Sequence, residues 1–396
     1  MISVLFVNNI PFNPFYGGIE RATDILVKYL INVEYRICYL SSSCPDKAML
    51  EYQFPVNQYI LPCKKLHSKE NREFYRKILS ENHIDIVVNQ RGLLAEGNFY
   101  IDNKFPKIKI ISCFHSKPFG YWEICEDMLL IYRKTLLEKF KCLFKFITYP
   151  FSLYLLKKVE YQRAKNQLKY AIEKSDKAVF LSDSYIDIVL NRCQISNSKM
   201  ISIPNPNTYS KDEIYEVAKE KIILFVGRLS FWDKRPKTIL QIWEKVQKSF
   251  PDWHLYIVGH GELSKELQKY VANNHINGVH FEGKQDPLPY YQKASILCMT
   301  SAYEGFPMVL TEAMQNGIVP IAFSSFGAAF DIINSHNGVL IPPFSNEKYV
   351  EKLVALMKDE KHRSKMAKNG QGYVQRFDLE NVAKRWQALF NEIMKA

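Results

Sequence analysis

Two glutamates eight positions apart, Glu304 and Glu312, suggest a ligand site in the second half of the chain. They lie in the stretch "TSAYEGFPMVLTEAMQNG", which begins at residue 300. Glu304 falls in a loop-like run, whereas Glu312 falls inside an apolar pattern of helical spacing. Gly305 allows close approach of the backbone, and Pro307 suits the first turn of a helix. This junction predicts a carboxylate beside free backbone N–H groups, which can hold anionic oxygens or sugar hydroxyls.

The helix after this loop predicts a separate role for Glu312. If Pro307 begins the helix and Gly317 ends it, Glu312 lies about two turns from the loop. It would then contact another part of an extended ligand, such as a ribose. The alternative is that Glu304 only favours the positive end of the helix and that Glu312 makes a surface ion pair.

Two cations, Arg228 and Lys234, follow the apolar run "KIILFV" in the stretch "GRLSFWDK". Fixed cations just after a buried strand suit a diphosphate, although ordinary surface charge is the alternative. Gly259 and Gly261 follow another apolar run in "VGHGEL". They predict an accessible backbone at the carboxyl end of a sheet, where open α/β sheets bind ligands.

The elements that must position these residues alternate along the whole chain. Short apolar, β-branched runs such as "ISVLFVN" and "KIILFVGRL" are followed by longer helical patterns. Continuous apolar strands followed by helices predict parallel sheets covered on both faces. A turn-rich stretch at 204–213 separates two such sets, so the fold class predicted is α/β with two Rossmann-like domains. The predicted domains are 1–208 and 209–378, with a final helix at 379–396 that packs back on the first domain.

The charge of the chain is concentrated in one segment. The 396 residues hold 53 Lys and Arg against 41 Asp and Glu, a formal net charge of +12. Eleven of these cations and three of the anions lie within 129–174, inside a predicted basic insertion at about 125–172. Interleaved aromatic residues favour docking on an anionic membrane, and core-packed helices are the alternative. No recognition motif for nucleic acid accompanies the charge. Neither a spanning apolar run nor a signal peptide is evident from the sequence.

The sequence predicts neither a disulfide framework nor a metal site. Eight cysteines are present, without a Cys-x-x-Cys pair, and several lie in strand-like runs. Free thiols in a reducing compartment are therefore expected. No Asp-x-Asp occurs, so we expect a reaction that needs neither a metal nor another cofactor.

The second half of the chain resembles the nucleotide-sugar-binding domain of the retaining glycosyltransferases of family 4, which have the GT-B fold. The matching stretches are "FVGRL…DK", "YIVGHGE", "VHFEGK…LPYYQKASILCMTSAYEGFPMVLTEAM" and "NGVLIPP". They occur in the family's order over nearly all of 221–345, and Glu304 and Glu312 form its E-x7-E motif. The resemblance implies two Rossmann-like domains whose parallel sheets face a central cleft. Two departures are Asp331, where the family usually has Glu, and His260 in "VGHG".

The first half is similar to the acceptor domain of the same family, though more loosely. "PFYGGIERAT" resembles its glycine-rich loop, and "ISCFHSKPF" places His115 at the end of a predicted strand. A lone histidine is more often structural, but in the family a histidine at this point lines the sugar site. The resemblance implies catalytic roles for Glu304, His115, Arg228 and Lys234. It implies a donor-binding set made of Gly17, Gly18, Arg228, Lys234, Gly259, Gly305, Phe306, Pro307, Met308, Val309 and Glu312.

These observations predict a metal-independent glycosyltransferase. It would use a UDP- or GDP-sugar donor and a glycan or polyprenyl-linked acceptor in the biosynthesis of cell-surface polysaccharide. Arg228 and Lys234 would hold the diphosphate, Glu304 the sugar and Glu312 the ribose. We expect it in the cytoplasm, on the inner face of the cytoplasmic membrane. Two alternatives stay open: a nucleotide-sugar epimerase of the same fold, and a non-catalytic nucleotide-sugar- or glycan-binding protein.

Overall fold

A computed structural model of the chain describes residues 1–44, 52, 54–123, 149–215 and 217–395. They divide into two units, the first made of 1–206 and 379–396 and the second of 207–378. Each unit holds one sheet in which all neighbouring strands are parallel. Both sheets are therefore of the kind that needs helices on its faces to bury its apolar strands.

The first unit is a seven-stranded sheet in the order β3-β2-β1-β4-β5-β6-β7. Its strands are β1 Ser3–Asn8, β2 Arg36–Ser41, β3 Asn57–Ile60, β4 Ile86–Asn89, β5 Lys109–Phe114, β6 Lys177–Phe180 and β7 Met200–Ser202. Its helices are α1 Gly18–Asn32, α2 Lys69–Glu81, α3 Asn98–Asp102, α4 Gly120–Glu123, α5 Tyr149–Lys174 and α6 Asp183–Cys193. The edge strand β3 was not predicted, because its sequence is polar and its residues are only partly buried.

The last helix of the chain, α14 (Leu379–Lys395), belongs to the first unit. Its buried residues recur at helical spacing and join the core formed by β1, β4 and α1. Trp386 and Phe390 are the largest of them, and the Phe390 ring lies 5.7 Å from that of Tyr35. Burial of such side chains stabilises a fold by about 1.5–3 kcal/mol each.

The second unit is a six-stranded sheet in the order β10-β9-β8-β11-β12-β13. Its strands are β8 Ile222–Val226, β9 His254–Val258, β10 Val279–Gly283, β11 Ile296–Met299, β12 Val319–Phe323 and β13 Val339–Ile341. Its helices are α7 Pro236–Val246, α8 Ser264–Asn273, α9 Leu288–Lys293, α10 Met308–Gln315, α11 Ala328–Ile332, α12 Asn346–Lys358 and α13 Glu360–Val374. The predicted strands of this half are all present, although β10 and much of β13 are only partly buried. The other four are buried apolar runs bounded by turn residues.

Both sheets reverse their strand order at one point. In the first unit the reversal lies between β1 and β4, and in the second between β8 and β11. Loops that leave the carboxyl ends of two such neighbouring strands diverge to opposite faces and leave a crevice at that edge. Gly17 and Gly18 follow β1, Arg228 and Lys234 follow β8, and Glu304 follows β11. His115 follows β5, which lies beside β4, and Gly259 follows β9, which lies beside β8.

Candidate functional site

The second unit pairs Lys234 with Glu304 at the carboxyl edge of its sheet. Lys234 Nζ donates to Glu304 Oε1 at 2.6 Å, and both side chains are largely buried, with 20% and 13% of their surface exposed. The lysine lies in the loop after β8 and the glutamate in the loop after β11. These strands are neighbours in the sheet, so their loops meet although the residues are 70 positions apart. The sequence predicted both residues for the site but assigned them to different parts of the donor.

Hydrogen bonds of the backbone hold these two loops against each other. Ala302 N donates to Asp233 O at 2.7 Å, and the Thr300 hydroxyl donates to Lys234 O at 3.0 Å. Thr300 is fully buried, so this bond is sheltered from water. The position of Lys234 is therefore set by its main chain as well as by its ion pair.

Arg228 lies in the same loop and is paired with Asp233, a residue to which the sequence reasoning gave no role. Arg228 Nη2 donates to Asp233 Oδ2 at 2.9 Å, and the Ser230 hydroxyl donates to the other carboxylate oxygen. Burial alone would raise the pKa of Asp233, but these hydrogen bonds outweigh it and the pKa is lowered. The arginine side chain remains 70% exposed. Asp233 thus anchors one end of a guanidinium that is open to a ligand.

Glycines in the second unit allow two loops to lie backbone to backbone. Gly259 has a φ of +150°, and a Cβ built there would lie 1.9 Å from the Gly227 carbonyl oxygen. A Cβ on Gly261 would lie 2.4 Å from the Leu229 carbonyl oxygen. Any side chain at either position would force the loop that carries Arg228 to move. This close approach gives Gly259 a structural reason to be glycine, and its contact with a donor stays a prediction.

Helix α10 follows the Glu304 loop much as its sequence predicted. Pro307 lies just before the helix, as its N-cap, and the left-handed Gly317 donates its N–H to Met314 O after the helix. Phe306 and Met308 are each only 7% exposed, and the Phe306 ring packs against Phe377. Their side chains belong to the core, so any donor contact from this stretch would come from its backbone.

Glu312 is buried inside the second unit, with 1% of its surface exposed. Its two carboxylate oxygens accept hydrogen bonds from the Thr208 hydroxyl at 2.6 Å and from the Tyr291 hydroxyl at 2.8 Å. The surface ion pair considered from the sequence is therefore wrong, because the carboxylate lies within the fold. The ribose role stays a prediction, and it requires that a ribose hydroxyl share or replace one of these bonds.

The first unit places Gly17 and Gly18 at the start of α1, the former as its N-cap. Glu20, in the first turn, folds back over them, so that a Cβ on Gly17 would lie 2.8 Å from Glu20 Oε2. Asn8, at the end of β1, donates to Glu20 Oε1 at 3.2 Å. Burial raises the pKa of Glu20, although hydrogen bonds from the backbone and from Asn8 oppose the shift.

His115 follows β5, and both of its ring nitrogens are buried without a hydrogen-bond partner among the described residues. Burial lowers its pKa to about 4, and the nearby guanidinium of Arg91 adds to the effect. The imidazole is therefore neutral at physiological pH. Asn8, Gln90 and Arg91, which also lie at this edge, were missed by the sequence reasoning. A run of polar residues directly after the buried strands, "NN" after "LFV" and "NQR" after "IVV", was the signal that could have found them.

Helix α5 carries the described part of the predicted basic segment, and residues 129–148 of that segment lie outside the described residues. Its carboxyl half packs into the unit, since Leu168, Ala171 and Ile172 are at most 2% exposed. Its amino half exposes an apolar stripe at helical spacing: Phe151, Tyr154, Leu155 and Val159. The core-packed alternative therefore describes only the carboxyl half of this helix.

The described residues contain no group of three or more His, Cys, Asp or Glu side chains that could hold a metal ion. The cysteines that lie in the described ranges are free thiols: Cys38, Cys44, Cys63, Cys113, Cys193 and Cys298. In the same ranges, no helix is both long enough and apolar enough to cross a lipid bilayer.

The second unit is similar to a known protein family. Residues 209–373 match the family model described as glycosyl transferases group 1. This match covers nearly all of the second unit. A similar curated protein is the Campylobacter jejuni α-1,4-N-acetyl-D-galactosaminyltransferase, whose name gives its acceptor as an oligosaccharide on PP-undecaprenol. It is 28% identical over 214 residues, which are 53% of this chain and 56% of that protein. The chain spans 50–62% of the length of the first curated relatives that it matches.

Solved structures match the chain over both units. Sucrose-phosphate synthase from Thermosynechococcus elongatus has a TM-score of 0.78 at 17% identity and covers the whole of both chains. Anabaena HepE, solved in complex with UDP and glucose, has a TM-score of 0.72 at 15% identity, over 99% of this chain and all of that one. The predicted fold class, α/β with the two Rossmann-like domains of GT-B glycosyltransferases, is confirmed. Arg228, Lys234, Glu304 and Glu312 lie within the residues that match the group 1 model.

Proposed function

We propose that this chain is a retaining glycosyltransferase of the hexosyl or glycosyl transfer class. It would move a sugar from a nucleotide-sugar donor to a glycan or lipid-linked acceptor in the biosynthesis of cell-surface polysaccharide. The observation that carries the proposal is the Lys234–Glu304 pair, which lies at the crevice edge of the second unit beside the exposed guanidinium of Arg228. This arrangement offers two cations for a diphosphate and one carboxylate for the sugar attached to it.

The two cations would act on the leaving group. When the bond between the anomeric carbon and the diphosphate oxygen breaks, the electron pair goes to the diphosphate, and negative charge grows there. Fixed positive charge stabilises that state without reorganisation, since Asp233 already holds the Arg228 guanidinium and Glu304 the Lys234 ammonium. This is the work that a metal does in other transferases, so we propose a metal-independent reaction.

Glu304 would orient the donor sugar and stabilise the positive charge that develops at its anomeric carbon. Its partner Lys234 would then contact both Glu304 and the diphosphate. Glu312 would bind the ribose of a UDP or GDP moiety, and the 305–309 backbone would complete the sugar site. The UDP in the HepE structure supports a uridine or similar nucleotide, but the base remains part of the proposal.

The first unit would bind the acceptor, and His115 and the Gly17–Gly18 turn keep the roles that the resemblance to the family implies. A polyprenyl-linked oligosaccharide is the acceptor class that the Campylobacter relative supports. The exposed apolar stripe of α5 and its flanking Lys157 and Lys158 support a peripheral position on the inner face of the cytoplasmic membrane, where such an acceptor is anchored.

Incubation of the protein with a panel of labelled UDP- and GDP-sugars tests the proposed activity. We expect slow hydrolysis of one donor without an acceptor, and transfer once a membrane extract supplies one, both unchanged by EDTA. An epimerised donor with no released nucleotide would show the epimerase alternative instead. Binding without any chemical change would show a non-catalytic protein, and loss of activity in EDTA with recovery on added Mn²⁺ or Mg²⁺ would contradict metal independence.

A further inference from the structure

The first unit contains a cavity of about 30 Å³ beside His115. Most of its wall is apolar, from side chains such as Phe6, Leu26 and Trp386. Four polar side chains also line it: Thr23, Gln90, His115 and Asn205. Since one water needs roughly 10–15 Å³ measured in this way and two or more polar partners, the space suits about two water molecules.

Three polar atoms on this wall have no hydrogen-bond partner in the described part of the chain. Gln90 Oε1 and both ring nitrogens of His115 are buried and have no hydrogen-bond partner among the described residues. Leaving a buried polar atom unsatisfied costs about 1–3 kcal/mol, so three such atoms around one cavity point to a bridging molecule. A space of this size suits water.

The orientation of the Gln90 amide is determined by its neighbours. The Thr23 hydroxyl donates its one hydrogen to Ile19 O at 2.8 Å, so its oxygen can only accept from Gln90. Gln90 Nε2 is the donor of that 2.6 Å bond. The other end of the amide, Oε1, is therefore a fixed acceptor that remains to be satisfied from the cavity.

We propose that ordered water fills this cavity and joins Gln90 Oε1 to the ring of His115, which makes Gln90 a positioning residue for that histidine. A neutral imidazole has one donor and one acceptor nitrogen, and the hydrogen bond at one nitrogen decides which of them carries the proton. The bonds from Ile19 through Thr23 to Gln90 make Oε1 the acceptor of one water hydrogen. The bond that this water makes to one ring nitrogen then holds His115 in one orientation and favours one of its two neutral tautomers. The use of that orientation in sugar transfer rests on the proposed function.

NMR of ¹⁵N-histidine-labelled protein tests this inference without any assay of activity. We expect two well-separated ¹⁵N shifts for His115 in the wild type, as for a single neutral tautomer. In Gln90→Leu, and in Thr23→Val, which releases the Gln90 amide, the two shifts should move toward each other as a tautomer mixture forms. Gln162→Leu, which removes an exposed amide on α5, is the control and should leave both shifts unchanged.

Steady-state kinetics of the same variants separates this inference from the proposed function. Gln90→Leu should lower donor turnover roughly tenfold, the lower end of the loss expected when the partner that orients a histidine is removed, with little change in donor KM. If the His115 shifts change in Gln90→Leu but the wild type has no transferase activity, the positioning role is supported and the proposed function is overturned. Unchanged His115 shifts in folded Gln90→Leu would overturn the positioning role. If neither variant folds, a high-resolution crystal structure of the wild type decides: water bound to both side chains supports the inference, and a dry cavity overturns it.

Discussion

Lys234 Nζ lies 2.6 Å from Glu304 Oε1, in a pair that joins the loop after β8 to the loop after β11. A lysine in this position touches the carboxylate proposed for the sugar while its remaining hydrogens stay available to a phosphate. The pair therefore couples the two ends of the bond that a transferase must break. This coupling leads to the first two predictions.

Removal of either cation should affect turnover. We expect Arg228→Ala and Lys234→Ala each to lower kcat by roughly two orders of magnitude, the scale of one donor in a preorganised electrostatic site. The control is Lys237→Ala, because Lys237 is a half-exposed lysine on α7 whose ion pair with Glu266 is long, at 3.9 Å. Near-normal kcat in folded Arg228→Ala would remove the guanidinium from the diphosphate site.

Substitution of Glu312 and of Glu304 should affect different quantities, the first the affinity for the nucleotide and the second the turnover rate. Glu312→Gln should mainly weaken the affinity for UDP or GDP, measured by calorimetry, because Glu312 is assigned to the ribose. Glu304→Gln should keep that affinity and lower kcat, because its carboxylate is assigned to the sugar. If both variants lose the same binding free energy, this division of roles is wrong.

The hydrogen bond from Tyr291 to Glu312 should be important for stability. Tyr291 is fully buried, so Tyr291→Phe leaves a buried carboxylate oxygen short of a donor, at a cost of about 1–3 kcal/mol in the free energy of unfolding. The matched control is the neighbouring Tyr290→Phe, which removes a more exposed bond to Glu282 and should cost less than about 0.5 kcal/mol. Urea denaturation at pH 7 measures both, and equal midpoints for the two variants would contradict the structural role of Tyr291.

His115 should make stability depend on pH in a defined window. Its pKa is lowered from 6.5 to about 4 in the folded protein, so the unfolded chain binds more protons between these values. The contribution of neutral His115 is fully present above pH 6.5 and is lost as the pH falls toward 4, by about 3 kcal/mol over the whole window. Wild type should therefore lose more stability than His115→Gln between pH 6.5 and pH 4 in urea denaturation. Parallel pH curves for the two proteins would show that the imidazole is not buried in its neutral form.

The exposed stripe of α5 should bind anionic lipid. Phe151→Ser combined with Tyr154→Ser should lower binding to anionic liposomes by at least about tenfold, because each inserted ring contributes more than 1 kcal/mol. High salt should weaken binding of the wild type without abolishing it, since salt screens the lysines but not the rings. Tyr215→Ser, which removes a ring of similar exposure from the second unit, is the control. Co-sedimentation that is the same for wild type and the double variant would assign the stripe another partner.

Local patterns in the sequence determined where the helices and strands lie and which charged residues belong to the candidate site. Apolar runs followed by helical spacing predicted both parallel sheets, because burial on two faces leaves a continuous apolar signature. Pro307 and Gly317 marked the limits of α10 through their backbone preferences, which act within a few residues. Arg228, Lys234, Glu304 and Glu312 were found as charged residues after strands or inside an apolar helix.

Only the tertiary structure decided which of these residues meet. The order of strands in a sheet is not encoded in any one strand, so the contact of Lys234 with Glu304 follows from β8 and β11 being neighbours. The same holds in the first unit, where β4 and β5 bring Gln90 and His115 to one cavity. The burial of Glu312 could not be predicted from the sequence either, because its carboxylate accepts a hydrogen bond from a hydroxyl 104 residues away in the chain. Side-chain partners at long sequence separation are set by packing, whereas the elements that carry them are set by local periodicity.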